Sequence, residues 1–152
     1  MNDADAERLR ALGHEYGATT GRPRRCGWFD APVVRASVRH NKLQALVITK
    51  LDILDSLDEV KVCHAYRFDG REVRELDPFH ASEFEPQYET MPGWREKISG
   101  CRTFAGLPVR ARRYLARLEE LCDCPIALVS VGSERSQTIP FKSNKLRWLK
   151  SS

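Results

Sequence analysis

The chain has 152 residues, enough for one domain of ordinary size, and its 41% hydrophobic and 30% charged residues exclude wholesale disorder. A formal net charge of +4, from 25 Lys and Arg against 21 Asp and Glu, fits a small anionic ligand at least as well as a nucleic-acid backbone. No run approaches the ~20 apolar residues of a membrane-spanning helix, and the opening MNDADAERLRALGHEYG lacks the apolar heart of a signal peptide.

In chain order, DADAERLRALGH sets Ala6, Leu9 and Leu12 at helical spacing and predicts a short amphipathic helix. A loop follows, GATTGRPRRCGW, residues 17–28. DAPVVRASVRHN predicts a second helix, with Asp30 as its cap, Pro32 in the first turn and Val34 and Val38 on one face. QALVITK reads as a strand of the kind buried on both faces in parallel sheets. EVKVCHAYRFDGREVREL predicts a hairpin turning at Asp69-Gly70. Between residues 77 and 108 prolines and glycines punctuate the chain, with one strand at QYETM. PVRARRYLARLEELCD predicts a helix whose apolar face carries Ala111, Leu115, Leu118 and Cys122, with Arg110, Arg113 and Arg117 on another. PIALVSVGS is a second buried-type strand, and PFKSNKLRWLKSS, residues 140–152, reads as a disordered basic tail or a short amphipathic helix. The alternation predicts an α/β layer structure: parallel-type strands, a β-hairpin and flanking helices.

Five cysteines at irregular spacing (Cys26, Cys63, Cys101, Cys122, Cys124) read as free thiols of a reducing cytoplasm, not as a zinc knuckle or a redox pair. The four histidines show no ligand spacing, no Ser/His/Asp order is readable, and no G-x-x-x-x-G-K-[ST] phosphate loop is present. Catalytic residues and metal ligands are therefore not expected in this chain. The arginines of the third predicted helix alternate with Glu119 and Glu120 around a good apolar face, which argues for a packed helix over a nucleic-acid surface.

Three stretches carry candidate chemistry. In the first loop, Gly17 and Gly21 allow close approach of a ligand to the backbone, Thr19 and Thr20 offer hydroxyls, and Arg22, Arg24 and Arg25 supply forks that match carboxylate or phosphate, with Pro23 stiffening the run. At the end of the first buried-type strand, TKLD places Asp52 where open α/β sheets bind ligands. An aspartate there can accept from the N1–H and 2-amino group of guanine, and Lys50 can lay its stem over the base. The competing role for Asp52 is a cap on the next turn. SVGS, ending the second strand, could bring backbone groups to a base edge, or be an ordinary exit to a loop.

Together, GATTGRPRRCGW, TKLDILD, YETMPGW, GLPVRARRYLARLEEL and VSVGSERSQTI resemble, in order and spacing, the carboxyl-terminal third of adenylosuccinate synthetases. The resemblance covers residues 1–139, leaving residues 140–152 as an unmatched tail. It implies a P-loop-like GTP-binding fold and a GTP-dependent carbon–nitrogen ligase of purine biosynthesis. That family joins IMP and L-aspartate with GTP and Mg2+, phosphorylating the IMP 6-oxygen so that the aspartate amine can displace it. By resemblance Ala18, Thr19, Thr20, Gly21, Arg22, Pro23 and Arg24 form the aspartate loop, Arg22 also lies near IMP, and Arg24 reaches GTP. Lys50, Leu51 and Asp52 frame the guanine, with Ser130, Val131 and Gly132 on its other side.

The sequence departs from the family after Gly132, where Ser133-Glu134-Arg135 replaces the usual Pro-Asp-Arg. The family's amino-terminal portion, with the phosphate loop, catalytic groups and Mg2+ ligand, has no counterpart here. The chain is therefore expected to be inactive by itself and to need that portion as a partner, or to be a non-catalytic nucleotide-binding module. A homodimer is expected of the complete enzyme, and an apolar, self-associating sheet edge of this part alone.

Overall fold

The computed structural model describes residues 3–74 and 82–141. Helix α1 spans Asp3–Gly13. Ala6 and Leu9 enter the core as their spacing requires, whereas Leu12, expected on the same face, is 51% exposed. Strand β1, Phe29–Asp30, leads directly into helix α2, Ala31–Asn41. The Val33 N–H donates to Asp30 Oδ1 at 3.1 Å, which supplies one of the bonds that a helix start lacks. Pro32 sits in the first turn, where its missing N–H has no intrahelical partner to lose. The helix closes on Lys42 in the left-handed region, with φ 51°.

Strands β2, Leu46–Ile48, and β3, Glu59–Phe68, are followed by β4, Arg71–Val73, across the Asp69-Gly70 turn, where both residues have positive φ. Both central residues of such a two-residue hairpin turn require that conformation. Strand β5, Glu85–Pro92, runs antiparallel to β3 over nearly its full length. A register shift between Cys63 and Ala65 accommodates one extra residue of β3, so His64 bulges. β1 lies parallel to β3, on the flank that β4 also occupies. The second sheet has the order β2-β6-β7, where β6 is Ile126–Ser130 and β7 is Thr138–Pro140. β2 and β6 are parallel, as their composition predicts; β6 and β7 are antiparallel. β1 and β7, at two and three residues, are too short to show a period-2 pattern.

Helix α3, Val109–Cys122, buries Ala111, Tyr114, Leu115, Leu118 and Cys122 and packs against α2. Burial pushes the Cys122 thiol up to about 12, which makes it an inert apolar filler at neutral pH. The opposite face is not an open basic strip. Arg110 donates to the Gly93 carbonyl at 3.0 Å, and Arg117 pairs with Glu89 of β5 at 2.8 Å and with Glu120 at 2.9 Å. None of the five cysteines is in a disulfide.

One core runs through the molecule, from Leu9 and Val38 through Val60, Val62, Trp94 and Ile98 to Leu115, Leu118, Ile126, Val129 and Ile139. Where α2 begins, the Tyr66 hydroxyl donates to the Asp30 carboxylate, tying the helix cap to β3. Of the basic stretch, Pro140 closes β7 and Phe141 is buried against Phe104, with ring centroids 4.5 Å apart; the tail assignment from residue 142 onward lies outside the described residues. So does the end of the predicted hairpin strand beyond residue 74. Among the described residues no helix is long and apolar enough to cross a membrane.

Candidate functional site

Parallel pairing of β2 with β6 puts the carboxyl ends of the two strands side by side, and with them two of the three candidate stretches. Lys50 leaves β2 in the left-handed region, φ 58°, a conformation uncommon for any residue with a Cβ. Its N–H then donates to Ser130 Oγ at 2.9 Å, across 80 positions of sequence. Lys50, Leu51 and Asp52 are thereby joined to Ser130, Val131 and Gly132.

Leu51 anchors the 3-10 turn Leu51–Leu54, only 2% exposed. Asp52 follows it, and its Oδ1 is buried without a hydrogen-bond partner. Such an oxygen costs free energy unless something donates to it. Asp52 is not the cap of this turn: that position belongs to Lys50, and no side-chain cap bond is made. Asp52 lines a cavity of about 540 Å3 with Leu12, Asp55, Ser56, Arg95, Lys97 and Ser99, separate from the one that Lys50 lines. Asp55 of the same lining accepts from Trp94 Nε1–H at 2.8 Å and from the Ile98 N–H at 3.0 Å. Burial raises the Asp55 carboxyl above the usual range, against those two donors.

Gly132 is glycine for an internal reason. A Cβ there would run into the Gln137 side chain. That amide is committed at both ends, accepting from the Glu134 N–H at 3.0 Å and donating to the Ser99 carbonyl at 2.9 Å. The segment replacing the family's usual Pro-Asp-Arg is thus folded back against the Gly132 turn.

The first loop differs from an open cradle. Its Gly17 N–H donates to the Arg22 carbonyl and its Gly21 N–H to the Gly17 carbonyl, both at 2.8 Å, so neither converges on an external oxyanion. Tyr16 and Pro23 bridge across its neck, and Gly21 supplies the positive φ of 62° that the tight turn needs. Ala18, Thr19, Thr20, Gly21, Arg22 and Pro23 stand exposed on this ring. Ring closure consumes these two glycine donors, while the hydroxyls and guanidinium of the exposed rim are of the types that hold an anion.

Arg24 is brought to the second stretch by a residue that no motif marks. Glu15 pairs with Arg24 at 3.0 Å and also with the Lys50 ammonium, which donates to the Gly13 carbonyl at 2.6 Å as well. Lys50, then Arg24, hold the Glu15 carboxyl below its usual range. Arg24, Thr49, Lys50 and Leu51 line one cavity of about 350 Å3 with Trp28 and Tyr114. Among the described residues no three His, Cys, Asp or Glu side chains gather in one place.

This arrangement of ring, strand ends and helix has known counterparts. The family profile described as adenylosuccinate synthetase matches residues 1–139. The chain belongs to the adenylosuccinate synthetase family. It is 55% identical over 140 residues to the adenylosuccinate synthetase of Geobacter sulfurreducens, covering 90% of this chain and 32% of that one. The synthetase of Heliobacterium modesticaldum is 49% identical over 141 residues, covering 91% of this chain and 33% of the other. In structure the chain is similar to a fully ligated adenylosuccinate synthetase from Plasmodium falciparum, with a TM-score of 0.89 and 36% identity over 93% of this chain and 35% of that chain. The chain thus spans about a third of the length of the relatives it matches. The mixed α/β architecture, with two small sheets and three helices among the described residues, matches part of the adenylosuccinate synthetase fold.

Two members of the arrangement escape motif reading. Glu15 is a lone acid after a helix, and Asp55 repeats the residue type of Asp52 three positions on without any spacing that singles it out.

Proposed function

We propose that this chain is the part of an adenylosuccinate synthetase that reads the guanine of GTP and holds L-aspartate, in an enzyme that ligates IMP and L-aspartate to adenylosuccinate for AMP synthesis in the cytoplasm. The observation that carries the reading is the buried, unpartnered Asp52 Oδ1 beside the Lys50–Ser130 link. A carboxylate on a cavity-lining residue, with one oxygen left unpartnered, suits a ligand edge that presents donors. Guanine presents N1–H and a 2-amino group there; adenine does not.

The ring at residues 17–22 then supplies the amino-acid site, with Thr19 and Thr20 donating hydroxyls and Arg22 clamping a carboxylate within reach of IMP. Arg24, paired with Glu15 and sharing a cavity with Lys50 and Leu51, would then lie on the GTP side, with Ser130, Val131 and Gly132 assigned to the other side of the base. In this reading Mg2+, the phosphate loop and the groups acting on the IMP 6-oxygen come from the remaining two-thirds of the family's length, and the chain alone does not turn over. The complete enzyme is a homodimer.

The test supplies that remainder by fusing this chain to the corresponding portion of the Geobacter sulfurreducens synthetase. kcat/KM is then measured for GTP, ATP and XTP with Asp52 and with Asp52→Asn. The parent should reject ATP by ~10^4-fold or more, as sites built around buried hydrogen bonds do. Asp52→Asn should shift preference toward XTP, whose 2-oxo group accepts from the new amide. A GTP-to-XTP ratio within about twofold of the parent, under roughly 0.4 kcal/mol, removes Asp52 from the guanine site.

A further inference from the structure

The two sides of the proposed base site come from distant parts of the chain. Asp52 lines its cavity with Ser99, from the segment after β5, whereas Ser130, Val131 and Gly132 stand where β6 ends. One side chain reaches both. Gln137 Nε2 donates to the Ser99 carbonyl at 2.9 Å, across 38 positions, while its Oε1 accepts from the Glu134 N–H at 3.0 Å. The same amide fills the space over Gly132, where a Cβ would run into it.

The local sequence accounts for only half of this. Glu134 opens the 3-10 turn Arg135–Gln137, and Gln137 bonds back to the Glu134 N–H as the third residue of a capping box. The backbone closes the turn again: the Gln137 carbonyl accepts from the Val131 N–H and its N–H donates to the Glu134 carbonyl, both at 2.9 Å. A three-residue turn so closed needs no further anchor. The Nε2 end is nonetheless spent on Ser99, a residue of the Asp52 cavity.

We infer that Gln137 is a positioning residue for the nucleotide base, fixing the separation between the Gly132 turn and the cavity of Asp52. The inference rests on the guanine reading proposed above. The Lys50–Ser130 bond already ties the two sides at the strand ends, and Gln137 ties them again beyond β6. One tie leaves a hinge; two set an angle. Groups that meet a ligand keep their geometry only when the residues behind them are fixed by packing and hydrogen bonds. Gln137 acts from behind, through Gly132 on one side and Ser99 on the other. The tie can be cut without dismantling the fold. The Ser99 carbonyl also accepts from Arg102 at 2.9 Å, and β7 keeps its backbone pairing with β6.

The experiment uses Gln137→Met, which keeps the length of the side chain and removes both polar ends. In the chain itself, amide hydrogen exchange at Glu134 should quicken by about tenfold, as loss of one hydrogen bond entails. In the fused enzyme described above, KM for GTP should rise about fivefold or more, with kcat and KM for aspartate within about twofold of the parent. The GTP-to-XTP ratio of kcat/KM should stay at the parent's value, because Gln137 sets a wall and does not read the base edge. Asp52→Asn, measured alongside, should shift that ratio. If it does not, while Gln137→Met still raises KM for GTP, the guanine reading falls and Gln137 keeps its role at the nucleotide. A thermal transition checks that the methionine variant folds; if it does not, Gln137→Ala takes its place.

Three results overturn the inference. KM for GTP could stay within about twofold of the parent. It could rise together with KM for aspartate and a fall in kcat, which makes Gln137 a support of the fold at large. Or exchange at Glu134 could be unchanged, which means that the turn is held without the amide.

Discussion

The Lys50 N–H and the Ser130 hydroxyl meet at 2.9 Å, joining the ends of two parallel strands that lie 80 positions apart. The bond is made by a backbone donor held in the left-handed region, so it fixes the start of the Asp52 turn and not merely a flexible side chain. Ser130→Ala leaves that N–H without its partner at a cost of about 1 kcal/mol. In the fused enzyme the expected result is a raised KM for GTP with kcat little changed, and Ser130→Thr, which keeps the hydroxyl, should restore it. Steady-state kinetics at saturating IMP and aspartate checks this.

Glu15 holds Lys50 and Arg24 together, and its carboxyl is depressed by both, Lys50 first. A depressed carboxyl contributes stability that is present above its unfolded value and lost as pH falls through the folded one. The stability difference between the parent and Glu15→Gln should therefore be full at neutral pH and vanish in acid below the ordinary carboxylate range. Both partners are substantially exposed, so the difference stays below about 1 kcal/mol. Urea titrations of the two proteins across pH measure it; a difference that grows toward acid contradicts the assignment.

Gly132→Ala should destabilise by about 1–2 kcal/mol, because the added methyl displaces Gln137 from its bonds to Glu134 and Ser99. The cost should largely disappear in a Gln137→Ala background, where nothing remains to displace. A double-mutant cycle from chemical denaturation gives the coupling directly. Equal costs in both backgrounds mean that the glycine is needed for something other than room.

Arg22 stands on the exposed rim of the ring, and the ring's own glycine N–H groups are internally spent. Under the proposed function, recognition of the aspartate carboxylate falls on the guanidinium. Arg22→Lys keeps the charge but loses the bidentate fork. In the fused enzyme it should raise KM for aspartate by about tenfold while leaving KM for GTP within about twofold, the loss of one charge-assisted bond being worth roughly 1.5 kcal/mol. A parallel rise for GTP places Arg22 elsewhere.

Much of this molecule is legible along the chain because its causes are local. Helix α3 follows from Ala111, Leu115, Leu118 and Cys122 recurring on one face, and the start of α2 from an aspartate three residues before the N–H it caps. The β3–β4 turn follows from Asp69-Gly70, and the parallel type of β2 and β6 from their unbroken apolar runs. The residue types of the candidate site were readable in the same way: a guanidinium suits a carboxylate and an aspartate suits a pair of donors wherever they stand.

Tertiary structure alone decided which of those residues meet. No spacing rule pairs Lys50 with Ser130 or Glu15 with Lys50, since the bonds arise only once the strand ends and the end of α1 are laid side by side. The same holds for the ring, whose glycines looked available for a ligand until Arg22 and Gly17 closed it, and for Gly132, whose empty space belongs to Gln137. The strands of the second sheet read as buried on both faces, yet the register shift of β6 leaves Val47 and Leu128 in the open. Local pattern sets what each segment wants to bury or bond. Which partner it receives depends on contacts between distant positions, and those exist only in the assembled fold.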